Sequence, residues 1–297
     1  MGYLFQHTTI VNIPSNMSSR LSKIKAIYIV IAVLFFAVAV RCNKPVPSKS
    51  KPVQKSSYPI FSDSLNLQYG IASRRGTLLN KGYFIINHND IWKIPYWVAY
   101  YLTAQHLEGE TKRQGQFRPD PRLPVGARAE LKDYEKSGYN RGHMAPAADF
   151  KRSKDAMTAT FLLSNMSPQT PQLNQKIWQR LEDEVRDKVK TEGGAWIITG
   201  NVFMSADSHF TTPTTFIGFN KVAVPTHCFK CVLSTNKKSA FSVHAFLLPN
   251  RKTFIPGKPI DYSITIDRLE QITCYDFFPL LDDTLEDRLE SKKATDW

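Results

Sequence analysis

Between Tyr139 and Phe150 the chain sets an arginine, a glycine and a histidine in succession (Tyr139-Asn140-Arg141-Gly142-His143-Met144-Ala145-Pro146-Ala147-Ala148-Asp149-Phe150). An arginine fork grips phosphate oxygens in pairs. An imidazole with an unperturbed pKa near ~6.5 is neutral at pH 7 and can take a proton from water. A glycine before it permits an unusual backbone angle or a close approach of substrate. The trio suits phosphodiester hydrolysis, with His143 as general base and Arg141 as a phosphate grip. A lone histidine in a loop is more often a solvated side chain. The flanking Arg-Gly and Met-Ala-Pro residues single this one out.

A second constellation follows. Leu163-Ser164-Asn165-Met166-Ser167-Pro168-Gln169 leads into Leu173-Asn174-Gln175, then Trp178 and Arg180-Leu181-Glu182. An asparagine oxygen is a hard, neutral ligand that suits Mg²⁺, an ion that keeps most of its waters. Asn174 is therefore the candidate metal ligand, although an asparagine in a first helical turn more often serves as a cap. Glu182 and Arg186 lie eight and twelve residues further on, about 12 and 18 Å along a helix axis. Glu182 is too far to share a first coordination shell with Asn174 and would reach the metal through water. By spacing alone, Glu182 and Arg186 also read as an ordinary i,i+4 ion pair. Arg186 is the second candidate phosphate clamp.

These two stretches resemble the signatures of the DNA/RNA non-specific endonucleases, the ββα-metal nucleases with an Asp-Arg-Gly-His motif. The resemblance runs from about Tyr69 to Leu281. It implies an α+β fold, with a central mixed or antiparallel sheet, flanking helices and long loops. It implies a Mg²⁺-dependent enzyme, with Mn²⁺ as the substitute ion, that cuts DNA and RNA without sequence preference. It makes His143 the base and Asn174 the one direct protein ligand, and puts Glu182 on the metal's waters. Asn165 matches a family asparagine near the substrate; its Asn-Met-Ser sequon is expected to stay unmodified. Arg113, ahead of Phe117-Arg118-Pro119-Asp120-Pro121, matches a substrate-binding arginine. Asn140 stands where the family has aspartate. It keeps hydrogen bonding and loses the charge, which favours a runner-up: a nucleic-acid-binding protein of the same fold with weakened catalysis.

The elements that must position these residues are partly legible. Tyr83 to Asn87, Tyr96 to Thr103, Ala195 to Thr199 (ended by Gly200), Phe216 to Val224, Cys228 to Leu233 and Val243 to Leu248 read as strands. Thr158 to Leu163 reads as a further short β-like run, and Thr111 to Ser137 as loop. Pro171 to Thr191 reads as a helix: Pro171 suits its first turn, Leu173, Ile177, Leu181 and Val185 share one face, and Gly193-Gly194 ends it. A second helix begins at Asp267, read as its cap.

The chain of 297 residues has a net charge of +13, which favours polyanionic partners: nucleic acid, anionic membrane or acidic glycan. A surface adhesin or membrane-binding module using the basic linker is a further rival reading. Ala26 to Val40 is an unbroken apolar run of fifteen residues, short of the ~20 a spanning helix needs. With Ala37-Val38-Ala39 as cleavage site and Met17 as start, residues 1–40 read as a signal peptide, with an uncleaved membrane anchor as the rival. A mitochondrial presequence would be Arg-rich and amphipathic, which this run is not. Arg41 beside Cys42 is wrong for a lipoprotein signal. Residues 41–57 form a basic Pro/Ser linker with five cations and no acid, and 58–297 the catalytic domain. The expected address is secreted, periplasmic or cell-surface; the alternatives are membrane-anchored or mitochondrial. A membrane tether through residues 26–40 and a homodimer remain open. Cys228 and Cys231 are three apart in a strand, so they face opposite sides and suit neither a disulfide nor, without further ligands, a zinc site. A bridge from either to Cys274 stays open.

Overall fold

Aromatic and β-branched runs build the centre of the molecule. In this computed structural model, which describes residues 65–205, 209–235, 240–293 and 297, they form a seven-stranded sheet. Its strands are β1 (Thr77–Asn80), β2 (Ile85–Asn89), β3 (Ile94–Thr103), β6 (Gly194–Val202), β9 (His227–Thr235), β10 (Phe241–Pro249) and β11 (Ser263–Ile264), in that spatial order. Every neighbouring pair is antiparallel. The short β4 (Asn140–His143) and β5 (Met166–Gln169) form a ribbon of their own, and β7 (Phe216–Ile217) pairs with β8 (Val222–Ala223). The helices are α1 (Ala104–Leu107), α2 (Leu131–Tyr134), α3 (Lys154–Ala159), α4 (Trp178–Glu192), α5 (Ile266–Thr273) and α6 (Asp283–Glu290). The signal-peptide, linker and Cys42 readings, and the domain start at residue 58, lie outside the described residues. No helix among the described residues is long and apolar enough to cross a membrane.

Alternation along the strands makes two cores. Val98, Tyr100 and Leu102 of β3 face one side, where Trp178, Leu181, Val185 and Val189 of α4 cover the sheet. Trp97 and Ala99 face the other, beneath Ile266, Leu269 and Ile272 of α5 and Leu289 of α6. Cys228 belongs to the first core and Cys231 to the second, as the strand period requires; both are buried free thiols. A third cluster, with Ile94, Tyr134, Leu163, Met166 and Phe203, underlies the ribbon.

Several sequence expectations change here. Gly200 does not end β6: it sits mid-strand, where a Cβ would lie 2.3 Å from the Tyr96 carbonyl oxygen and 2.5 Å from the Phe229 ring. Phe216 to Val224 is not one strand but a tight hairpin, because Gly218 and Lys221 take left-handed φ of +66° and +58°. Thr158 to Leu163 begins as the end of α3, whose cap Ser153 accepts from the Ala156 amide. The cap of α5 is Thr265, which accepts from Arg268 N, not Asp267.

Candidate active site

The predicted residues converge on a strand-strand-helix unit. In the ribbon, Asn140 pairs with Gln169 and His143 with Met166. Gly142 opposes Ser167, and the Gln169 side chain lies across it: a Cβ on Gly142 would fall 2.1 Å from Gln169 Oε1. Close approach, not a left-handed φ, is what glycine supplies here. One residue past the ribbon, Thr170 O accepts from Asn174 N at 2.9 Å. Leu173–Ile177 then forms a π turn that runs into α4.

That turn decides which residues share a face. In a continuous α-helix, eight residues at about 100° each leave Glu182 about 80° round from Asn174. Four of those steps taken in a wider turn of roughly 4.4 residues reduce the offset to about 10°. Asn174 and Glu182 therefore project from one side of the helix. The Asn174 side chain is half-buried and makes no hydrogen bond among the described residues. A free amide oxygen aligned with a carboxylate two turns away fits a hydrated divalent cation.

His143 is 9% exposed and packed by two rings, Phe117 at 5.7 Å and Phe161 at 5.1 Å between centroids. Its Nε2 is buried without a partner, leaving Nδ1 as the ring nitrogen that reaches solvent. With the proton on Nε2, Nδ1 is the acceptor. Burial, and then the charge of Arg113, pushes the imidazole down to about 3. The ring is thus neutral throughout the physiological range.

The burial of His143 also makes stability depend on pH. Below pH ~6.5 an unfolded chain protonates this ring, whereas the folded chain refuses the proton until about pH 3. The stabilisation is complete above ~6.5 and is lost as pH falls through that window, at about 1.4 kcal/mol per unit and up to about 5 kcal/mol in all. His88 and His227, also lowered by burial, act in the same direction. Between about pH 7.5 and about pH 4.5 in urea titrations, wild type should lose roughly 3 kcal/mol more than His143→Gln. Parallel curves for the two proteins would refute the buried, neutral ring.

Asn165 was expected among the catalytic groups, and the structure uses it differently. Its Oδ1 accepts from Ala145 N at 2.9 Å, and its Nδ2 donates to Ala145 O at 3.0 Å and Thr160 O at 2.9 Å. The side chain is fully buried. It holds the turn that follows His143, and its burial closes its sequon.

The arginines divide. Arg186 was expected as a phosphate clamp or as the partner of Glu182. Instead Nη1 donates to Asp149 Oδ1 at 2.8 Å and Nη2 to Asp183. Asp149 is buried and also accepts from Tyr100 OH at 2.8 Å. Arg141 lies between the Phe117 and Tyr134 rings, at 5.2 and 5.5 Å, and donates to Leu131 O. Arg113, the loosest match by sequence, is the cation left available. It is exposed, makes no hydrogen bond among the described residues, and sits 5.2 Å over the Phe161 ring that stacks on His143.

Asn140 Nδ2 and Gln169 Oε1, neighbours across the ribbon, are both buried without partners. Glu182 keeps an exposed edge, while burial and then the nearby Asp149 charge raise its carboxyl, against the pull of Lys230 and Arg186. Lys230 was not foreseen. It is fully buried on β9, donates to Thr199 Oγ1 at 2.9 Å and lies 4.9 Å over the Trp178 ring. A lysine inside an otherwise apolar strand was the available signal.

A family model described as DNA/RNA non-specific endonuclease matches residues 62–284. The chain belongs to the DNA/RNA non-specific endonuclease family. Among similar members, the zebrafish mitochondrial nuclease EXOG (Danio rerio) is 36% identical over 203 residues, 66% of this chain and 59% of that protein's length. The mitochondrial nuclease of Saccharomyces cerevisiae is 34% identical over 241 residues, 75% of this chain and 73% of that protein. A crystal structure of EndoG bound to EndoGI aligns with a TM-score of 0.70 and 25% identity, covering 77% of this chain and 96% of that one. The large antiparallel sheet with its strand-strand-helix site unit is the family architecture expected above.

Proposed function

We propose that this endonuclease-family chain hydrolyses phosphodiester bonds of DNA and RNA, with His143 Nδ1 as the general base. The observation that carries the reading is the neutral, ring-packed imidazole, held on the same ribbon-and-helix unit as the unbonded Asn174 amide. Asn174 would hold a divalent cation, Mg²⁺ or Mn²⁺, and Glu182 would meet its waters. When bound, that ion supplies positive charge for the phosphorane and the leaving oxygen. Arg113 grips a phosphate oxygen beside His143. Arg141, fixed between two rings, presents its remaining donors from a set position. Arg186 and Asp149 act by holding the helix face that bears Glu182. Backbone-phosphate contacts of this kind discriminate weakly among sequences and weaken steeply with salt.

One observation favours the runner-up, a nucleic-acid binder with weakened catalysis: the stranded Asn140 Nδ2, where an aspartate would carry charge and no donor. The chain, with and without Asn140→Asp, should be incubated with supercoiled plasmid and single-stranded RNA in Mg²⁺ or EDTA. Metal-dependent cutting of both substrates is expected from wild type, faster by about tenfold or more in Asn140→Asp. Cutting by Asn140→Asp alone would establish the weakened binder instead. The relatives named as mitochondrial support a mitochondrial address, the alternative above, rather than secretion.

A further inference from the structure

The chain leaving β10 is fastened to the active ribbon. Asn250 Nδ2 donates to Pro168 O and Pro225 O, and Asn250 Oδ1 accepts from Thr170 N at 2.7 Å. Thr170 Oγ1 donates to Arg251 O at 2.9 Å, and Thr170 O accepts from Asn174 N. Two hydrogen bonds therefore link Arg251 to the turn that carries Asn174. Beyond this anchor Arg251, Lys252 and Phe254 are exposed, and Ile255 plugs the segment back into the core. Arg251 Nη2 donates to Phe254 O at 3.0 Å and closes the turn. Lys252 Nζ lies 5.5 Å over Tyr139, the residue before Asn140.

Phe254 is 67% exposed, its ring open to a flat partner. Its neighbours are cations, so an apolar protein partner is a poor match, whereas a chain with flat bases and regular phosphates fits. We propose that Phe254, Arg251 and Lys252 form a platform for single-stranded nucleic acid beside the cut site. One unpaired base stacks on Phe254, and the adjoining phosphates lie on the two cations. A duplex buries its base faces within the stack and gains only the charge contacts. The inference rests on the endonuclease reading and extends it to a strand preference.

The test uses the full chain carrying His143→Ala, so that substrate survives. Fluorescence anisotropy measures its binding to a short labelled single strand and to the matching duplex. Phe254→Ala should weaken single-strand binding by about fivefold or more, the cost of one lost stacking contact. Duplex binding should change by less than about twofold. Phe254→Tyr should keep the single-strand affinity. Arg251→Ala with Lys252→Ala should flatten the salt dependence on both ligands by roughly 0.7 to 0.9 per cation. Unchanged single-strand binding in Phe254→Ala, or equal loss on both ligands, overturns the platform. Failure of the wild-type chain to cut plasmid would instead sink the endonuclease reading, since these binding arms do not depend on cleavage.

Discussion

His143→Ala lowers single-turnover cleavage of plasmid and RNA by about two to four orders of magnitude, the usual contribution of a positioned base. Oligonucleotide affinity stays within about twofold, because the lost interaction exists only in the transition state. Any fall in wild-type rate from protonation of this ring sits well below pH 6.5, since burial and Arg113 hold the imidazole down to about 3. A rate profile that bends at the ordinary histidine pKa and keeps that bend in Arg113→Ala would contradict this electrostatic account. Retention of wild-type rate by His143→Ala would remove His143 as the base altogether.

Lys230→Met should cost about 3–5 kcal/mol of stability, the usual effect of removing one member of a buried charge cluster. Lys230 is the internal cation beside Glu182, and it is held by Thr199 Oγ1 and the Trp178 ring. Methionine fills the space but leaves the carboxylates of Glu182 and Asp149 with Arg186 as their remaining nearby cation. Urea unfolding at neutral pH measures the loss. Adding Glu182→Gln removes one of the stranded charges and should recover part of it. If the double variant is as unstable as the sum of the singles, the two residues do not interact.

Chemistry was more legible than support. His143 and Asn174 stood out because their neighbours are few in kind and fixed in spacing. Strands β3, β6, β9 and β10 were visible as aromatic or β-branched runs. The ribbon strands were not: Asn140-Arg141-Gly142-His143 has no alternating pattern, and its partner lies more than twenty residues later. Arg186 was read against Glu182 because four residues make helix neighbours, yet its partner Asp149 is 37 residues away. Asn165 looked functional by resemblance, and only its three buried hydrogen bonds reveal a bracing part. Fifteen apolar residues read as an export signal, whereas the zebrafish and yeast relatives are named as mitochondrial nucleases.

The π turn was invisible for a related reason. Leu173, Ile177 and Leu181 are four apart, a spacing that either helix type accommodates. Gln175 and Lys176 within it are exposed, so their identities are only lightly constrained. Loss of either one would let the segment relax to α geometry, seven steps of about 100° that leave Asn174 within about 30° of its present direction relative to Glu182. A one-residue alignment gap here would therefore mark the π turn resolved into plain α-helix, with Asn174 and Glu182 still on one face and every catalytic letter retained.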